Sequence, residues 1–361
     1  MTFDPDRPFN DLPLLPPKAE LETKRVLKAA IGARTALAEL KGAGGLIPNQ
    51  RVLIDSIALQ EAKSSSEIEN IVTTNDELYR AFANEGRTAD PQTKEVLGYH
   101  AALWSGYQGI RSGERQLTTR LFEELVAIIR GIDIGVRRVP GTKLATPAGK
   151  VIYTPPEGES RLRDLLANLE KFIYAEDELD PLVKLAVMHY QFEAIHPFTD
   201  GNGRTGRILN VLFLIERKLL DVPVLYLSRF ILQEKSAYYG GLLAVTEKSA
   251  WEPWLLYMLR GIETTAQSTR ARIEAIRALL DEWIERARRE IPKIYSKDLM
   301  EAVFRLPYSK VQFLEELGIG SRNTAAKYLR ALVDLGLLKV IDRGRETYYL
   351  NEPFYQVLTH E

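Results

Sequence analysis

Between His196 and Asn210 the chain reads HPFTDGNGRTGRILN, a short loop that gathers a histidine, an aspartate, three glycines and two arginines. Each of these types suits one part of phosphorus chemistry. Glycines let the backbone turn tightly after Pro197, before a helix predicted to begin near Arg204. The amides at such a helix start are unpaired and sit at the positive end of its dipole, where an anion binds. Arg204 and Arg207, three apart, share a face and can both offer forked donors to phosphate oxygens. Asp200 is a hard oxygen ligand suited to a magnesium ion bridging those phosphates. His196 is the group able to accept a proton near neutral pH. The set describes phosphoryl or nucleotidyl transfer with no covalent intermediate. A metal hydrolase built on His189, His196 and Asp200 is an alternative, but it leaves Pro197, two glycines and the second arginine unexplained. An ordinary glycine-containing helix start next to a core histidine is the other.

Helical periodicity supplies the elements that must position this loop. Helices are expected from near Ala19 to the GAGGLIPN break with its Pro48, through RVLIDSIALQEAKSSSEIENIVTT, and at Gln92 to Ile110, Thr119 to Ile129, Ser160 to Ala175, Pro181 to Ala194, Arg204 to Leu219 and Arg229 to Val245. The first seventeen residues hold five prolines and read as an extended arm. RRVPGTKLATPAGKVIYTPPEG, with β-branched and aromatic residues on either side of Pro147, Ala148 and Gly149, reads as a hairpin. A charged run from Trp251 to about Ile291 reads as a connecting helix. The tail, SKVQFLEELGIGSRNTAAKYLRALVDLGLLKV followed by KVIDRGRETYYL, reads as helix, turn, a second helix capped by Ser321, and a ribbon turning at Arg343 and Gly344, the winged-helix plan.

The composition excludes several classes. With 48 basic and 49 acidic residues the net charge is -1, so no global field draws the chain to nucleic acid or to an anionic membrane. The absence of cysteine removes disulfides and thiolate chemistry and fits a reducing compartment. No signal segment or membrane span is expected, and the chain reads as cytoplasmic.

HPFTDGNGRTGR resembles the signature of the Fic family, His-Pro-Phe-x-(Asp/Glu)-Gly-Asn-Gly-Arg-x-x-Arg, at every fixed position. The resemblance implies an all-helical core that transfers AMP from ATP, with Mg²⁺, to a Ser, Thr or Tyr hydroxyl of a protein. It makes His196 the base, Asp200 the magnesium ligand, and Gly201, Asn202 and Gly203 the hole for the α- and β-phosphates. Arg204 also lies on the phosphates, Thr205 and Gly206 belong to the same ATP-binding run, and Arg207 holds the γ-phosphate. The hairpin at Gly141 to Thr154 matches the family's flap, whose strand edge aligns a target segment. Tyr239 matches the tyrosine beside the adenine, Tyr238 reads as packing, and Thr246 stands where some relatives carry asparagine.

The same resemblance gives SSSEIEN a role. Ser65, Glu69 and Asn70 fit the inhibitory motif (Ser/Thr)-x-x-x-Glu-(Gly/Asn), which implies that an N-terminal helix packs on the site and pairs Glu69 with Arg207. The fold expected is mainly α: a Fic helical core with a β-hairpin flap plus a C-terminal winged helix-turn-helix domain. It divides into an N-terminal helical region (1–90), the catalytic core (91–262), a connecting helix (263–291) and the winged domain (292–361). A hydroxyl-bearing protein substrate, self-modification and a homodimer follow from relatives. A rival of another class is a DNA-binding regulator with a Fic-like sensor core, using Arg322, Asn323, Lys327 and Arg330 with Arg343 and Arg345 of the wing. Ten basic against nine acidic side chains from Ile291 onward weigh against it. Removal of AMP, or transfer of UMP, phosphocholine or phosphate, are the alternatives within the enzyme class.

Overall fold

The structure is a computed structural model that describes residues 3–45, 50–84, 89–146, 148–343 and 346–359. Pro48, Pro147, Gly344 and Arg345 lie outside them. Helix α1 (Lys24–Gly44) starts where Thr23 accepts the Val26 amide, later than the expected Ala19, and it runs through Gly42 before it ends. Helix α2 (Gln50–Ile68) follows, then α3 (Asn75–Ala83), a short helix the periodicity did not announce, which is nucleated by a reciprocal capping box between Thr74 and Glu77. Helix α4 (Pro91–Ser112) opens on an Asp90 cap with proline in its first turn and stops at left-handed Gly113. Helix α5 (Thr119–Arg130) stops in the same way at Gly131.

Strands β1 (Leu144–Ala145) and β2 (Val151–Tyr153) form the expected antiparallel hairpin, with Leu144 opposite Tyr153. Then come α6 (Glu159–Ile173), α7 (Pro181–Ile195) and α8 (Asn202–Glu216). The single helix expected from Arg229 to Val245 is instead α9 (Leu227–Gln233) and α10 (Lys235–Lys248), broken at Glu234, whose amide closes α9 on the Phe230 carbonyl. Helix α11 (Trp251–Glu290) is continuous over 40 residues.

Helices α7 and α8 form the centre. Both are buried around almost their whole circumference, which a helix tolerates only when packed on all sides. Helices α4 and α5 cover α8, while α6 and α11 cover α7, and α1 lies along α11. Trp254 of α11 is fully buried and donates its indole N–H to the Ala186 carbonyl of α7 at 2.9 Å. Helix α11 then leaves the core and carries α12 (Lys297–Val303), β3 (Tyr308–Ser309), α13 (Val311–Glu316), α14 (Arg322–Asp334), β4 (Lys339–Arg343), β5 (Glu346–Leu350) and α15 (Glu352–Thr359). The tail's helix-turn-helix and ribbon are present, and β3 adds a third antiparallel strand in the order β3-β5-β4. Ser321 precedes α14, but its hydroxyl meets Thr324 and not a backbone amide. Among the described residues no helix is long and apolar enough to cross a membrane.

Gly106 lets α4 approach α8: a Cβ there would lie 2.6 Å from Leu212 Cδ1, whereas one at Gly42 of α1 would meet nothing within 4 Å. Gly106→Ala is expected to lower stability by ~1–3 kcal/mol through overpacking. Gly42→Ala should leave it unchanged or raise it by up to ~1 kcal/mol. Urea denaturation of both variants measures the difference, and equal midpoints would contradict the packing account.

Candidate active site

Helix α7 ends by placing His196 in the left-handed region, φ 48° and ψ 59°, with its amide still bonded to the Phe192 carbonyl at 3.0 Å. Pro197 bars continuation. A non-glycine residue held there costs on the order of 1 kcal/mol, so its surroundings must over-determine it. Several bonds do so. Buried Arg137 donates through Nε to the His196 carbonyl at 2.8 Å and through Nη2 to the Pro156 carbonyl, while its amide bonds the Pro197 carbonyl at 2.8 Å. Tyr153 at the end of β2 donates its hydroxyl to the Ala194 carbonyl at 2.7 Å. Asn202 clasps Phe198, accepting its amide and donating to its carbonyl, both at 2.8 Å. The asparagine side chain therefore braces the loop, and only its backbone is left to face a ligand.

Helix α8 begins at Asn202, earlier than the expected Arg204, because Gly201 at φ 81° makes the turn by itself. Its first ladder bond runs from the Thr205 amide to the Gly201 carbonyl at 2.9 Å, so the amides of Asn202, Gly203 and Arg204 precede the ladder. A Cβ on Gly203 would collide with the Glu69 carboxylate and lie 2.8 Å from Arg207 Nη1. Glycine is thus what lets the backbone of this helix start come close to whatever binds there.

The two arginines, expected to share one task, separate. Arg204 is 1% exposed and is paired with Glu95 of α4 and with Asp200 at 3.3 Å, so its guanidinium does not line the pocket. Thr205 is fully buried and Gly206 faces Glu193, and neither lines the pocket. Their contribution is to the helix that presents the amides. Asp200 does line it, with its carboxylate half exposed and flanked by Arg204 and by Arg130 at 3.2 Å. Among the described residues no group of three or more His, Asp or Glu side chains could hold a metal ion. A half-exposed single carboxylate fits a magnesium ion that takes its other oxygens from phosphates and water. It does not fit a protein-caged metal. His189 is no ligand either: its Nδ1 faces Asn210 at 3.1 Å and its Nε2 faces the Tyr238 hydroxyl at 2.8 Å. With the amide of Asn210 as donor, the ring carries its proton on Nε2 and is fully satisfied, which removes the metal-hydrolase alternative.

Arg207, 2% exposed, turns its Nε and Nη2 donors to the C-terminal end of α2 and the residue that follows it. Nε bonds Ser65 Oγ at 2.8 Å, Nη2 bonds the Ser65 carbonyl at 2.8 Å, and Nη2 reaches Glu69 Oε1 at 3.1 Å. The end of α2 explains the residue after Glu69. Asn70 sits at φ 62°, its amide bonds the Glu67 carbonyl at 3.0 Å, and the Ile71 amide bonds the Ser66 carbonyl at 3.0 Å. This is the paired closure of a helix on a left-handed residue, which asparagine or glycine tolerates best. Lys235 Nζ takes the Ile68 carbonyl at 2.6 Å, placing a cation at the negative end of α2.

Burial sets the electrostatics. Desolvation, aided by Arg137, lowers the His196 pKa to about 4, against the pull of Glu69, the nearby Glu193 backbone and Asp200; its buried Nδ1 has no partner at full hydrogen-bond geometry among the described residues. His189 falls to about 3 by burial, with Arg207 adding to the shift. Burial lifts Glu193, one turn before His196, to about 7; Arg207 opposes this and Glu69 adds to it. Burial works against the charge of Arg207, but Glu69, Tyr238, Glu193 and Tyr99 outweigh it and hold the guanidinium firmly ionised.

The pocket therefore unites Glu69, His196, Asp200, Gly201, Asn202, Gly203, Arg207 and Tyr239, and extends to the hairpin through Leu144, Ile152 and Tyr153. Ser65 stands behind Arg207, and Asn70 closes α2. Tyr238 is buried as packing, yet it also lines the wall. Arg137, Glu95, Arg130 and Glu193 were not singled out from the sequence. Glu193 alone carried a usable signal, one helical turn from His196.

Three family models match the chain: Fic/DOC family N-terminal over residues 27–108, Fic/DOC family over 91–214, and the SoFic-like protein adenylyltransferase C-terminal domain over 279–354. A probable protein adenylyltransferase of Aquifex aeolicus is 26% identical over 313 residues, covering 83% of this chain and 87% of that one. A protein adenylyltransferase of Caenorhabditis briggsae is 30% identical over 140 residues, 36% of this chain; the match spans only 26% of that relative. Among solved structures, a Fic family protein from Desulfovibrio desulfuricans superimposes with a TM-score of 0.59 at 19% identity, covering 93% of this chain and 98% of that one. Fic-1 of C. elegans gives 0.54 at 19% identity, covering 69% and 74%. At such identities the structural likeness speaks for the fold.

A histidine pKa lowered from 6.5 to about 4 means that the proton-accepting form of His196 is complete at neutral pH and is lost only as pH falls through about 4. An NMR titration of the imidazoles, assigned with His196→Ala, should show no His196 transition between pH 8 and roughly 5.5. A midpoint near the ordinary histidine value would contradict the buried, arginine-flanked setting.

Proposed function

The chain belongs to the Fic/DOC family, and from that premise we propose that it is a protein adenylyltransferase that moves AMP from ATP to Ser, Thr or Tyr hydroxyls of target proteins and is held in check by α2. One observation carries the reading: Nε and Nη2 of Arg207, inside the His196 pocket, are engaged by Ser65 of the chain's own α2 and by Glu69, the residue just after it.

In this reading the amides at the start of α8 bind the α- and β-phosphates, and Arg207 takes the γ-phosphate once Glu69 has left it. Neutral His196 removes the proton of the target hydroxyl as its oxygen bonds the α-phosphorus. The bond from that phosphorus to the β-phosphate oxygen breaks, and pyrophosphate leaves. The negative charge of bound triphosphate raises the basicity of the imidazole above its empty-pocket value just when a base is needed. Asp200 would hold the magnesium ion, which when bound would supply charge stabilisation to the phosphates. The hairpin, anchored by Tyr153 to the residue two before His196, supplies a strand edge for the target segment.

Closure need not be strong. A hundredfold repression corresponds to ~2.7 kcal/mol in favour of the paired state. Hydrogen bonds to a buried charged group contribute about 1.5–3 kcal/mol each, so the Ser65 and Glu69 contacts suffice. A second reading keeps α14 as a DNA-contacting helix: Arg322, Lys327 and Arg330 are exposed and have no ion-pair partner among the described residues. It concerns another surface and does not compete with transfer in the pocket.

Glu69→Gly is expected to raise AMP incorporation from labelled ATP, read first on the protein itself and then on lysate proteins, by about ten- to a hundredfold. Adding His196→Ala should return it to background. An unchanged signal in Glu69→Gly would contradict autoinhibition.

A further inference from the structure

Helix α2 is gripped at both ends. At its far end from Glu69, Asp55 is 8% exposed and pairs through Oδ2 with Arg305 Nε at 2.6 Å. Arg305 belongs to the C-terminal unit, in the link between α12 and β3. The same unit reaches α2 and α3 elsewhere. The Tyr355 ring of α15 packs edge-on to Tyr79 at 6.2 Å, and the Tyr79 hydroxyl bonds Gln60 Nε2 at 2.7 Å and the Ser56 carbonyl at 3.3 Å, both on α2. Tyr308 of β3 bonds Asp76 of α3, and Lys310 bonds both Asn84 and Glu346. Midway along α2, Glu61 accepts from Tyr99 at 3.1 Å and from Ser228, which is the hold of the core.

Asp55 and Ile68, the last residue of α2 before Glu69, are separated by about 20 Å of continuous helix at 1.5 Å per residue. A helix is stiff along its axis, so a change at one end moves the other or breaks the helix between. Removing Arg305 would also leave Asp55 a nearly buried carboxylate without the ion-pair partner it has among the described residues, a state relieved by taking up a proton or by α2 shifting toward water.

We propose that the C-terminal unit controls the transferase site by clamping α2 through the Arg305–Asp55 pair, so that a ligand withdrawing Arg305 loosens Ser65 and Glu69 from Arg207. This rests on the reading of α2 as the inhibitory helix. It assigns the C-terminal unit a sensing role toward the pocket, with α2 carrying the displacement of Arg305 to the site.

Hydrogen exchange along α2 of the full chain tests the coupling without relying on activity. In Arg305→Gln, and equally in Asp55→Asn, the amides from Ala62 to Glu69 should exchange roughly three- to tenfold faster than in wild type, the double variant should add little, and Arg305→Lys should restore protection. AMP incorporation should rise by a similar factor in Arg305→Gln but not further when Glu69→Gly is already present. Faster exchange confined to Asp55 through Leu59, with Ala62 to Glu69 unchanged, would overturn the proposal. Faster exchange over the whole helix in a protein whose Glu69→Gly form transfers no AMP would support the clamp and fault the transferase reading instead.

Discussion

A guanidinium taken out of water must be met by partners that replace its hydration, and Arg207 is almost wholly removed from solvent. Its geometry admits one set of partners at a time. In this structure they are the Ser65 hydroxyl and carbonyl of α2 and the carboxylate of Glu69, the residue just after α2. In the active arrangement proposed above, a γ-phosphate takes the place of Glu69. Because both occupants are anionic and neither can be dispensed with while Arg207 stays buried, inhibition and substrate binding become two states of one ion pair. The position of α2, the closure of its end on Asn70 and the cation at Lys235 all serve that pair.

The remaining geometry follows from packing α7 against α8. His196 ends one helix and Gly201 starts the next, so the proton acceptor and the amide-lined mouth are fixed to the most deeply buried elements of the fold. The loop between them is held by Arg137, Tyr153 and Asn202, which restrain its backbone and leave the imidazole and the helix start facing the pocket. Such rigidity is what positions a reacting group before substrate arrives. Glu95 and Arg130 extend the same logic to Asp200 and Arg204 through a charge cluster that neutralises itself.

The sequence was most legible where chemistry is local. HPFTDGNGRTGR is one contiguous loop and helix start, so its parts could be read together, and the spacing from Ser65 to Asn70 is likewise set within one helix and its cap. The opposite fates of Arg204 and Arg207 were hidden because helical spacing says that two side chains are neighbours, not which distant carboxylate each will meet; Glu95 on α4 decides it for Arg204. Arg137 had no signal at all, since its value lies in carbonyls brought to it by the tertiary fold. The break at Glu234 and the short α3 escaped for a related reason: brief helices are fixed by caps and packing more than by periodicity.

The most direct measurement is calorimetric binding of ATP and ADP, each with magnesium, to the wild type and to Glu69→Gly. If Arg207 is the γ-phosphate site and Glu69 occupies it, wild type should bind the two nucleotides with similar affinity, and Glu69→Gly should gain affinity for ATP while leaving ADP unchanged. The same ATP-to-ADP ratio in both proteins would contradict the exchange of partners at Arg207 on which the account stands.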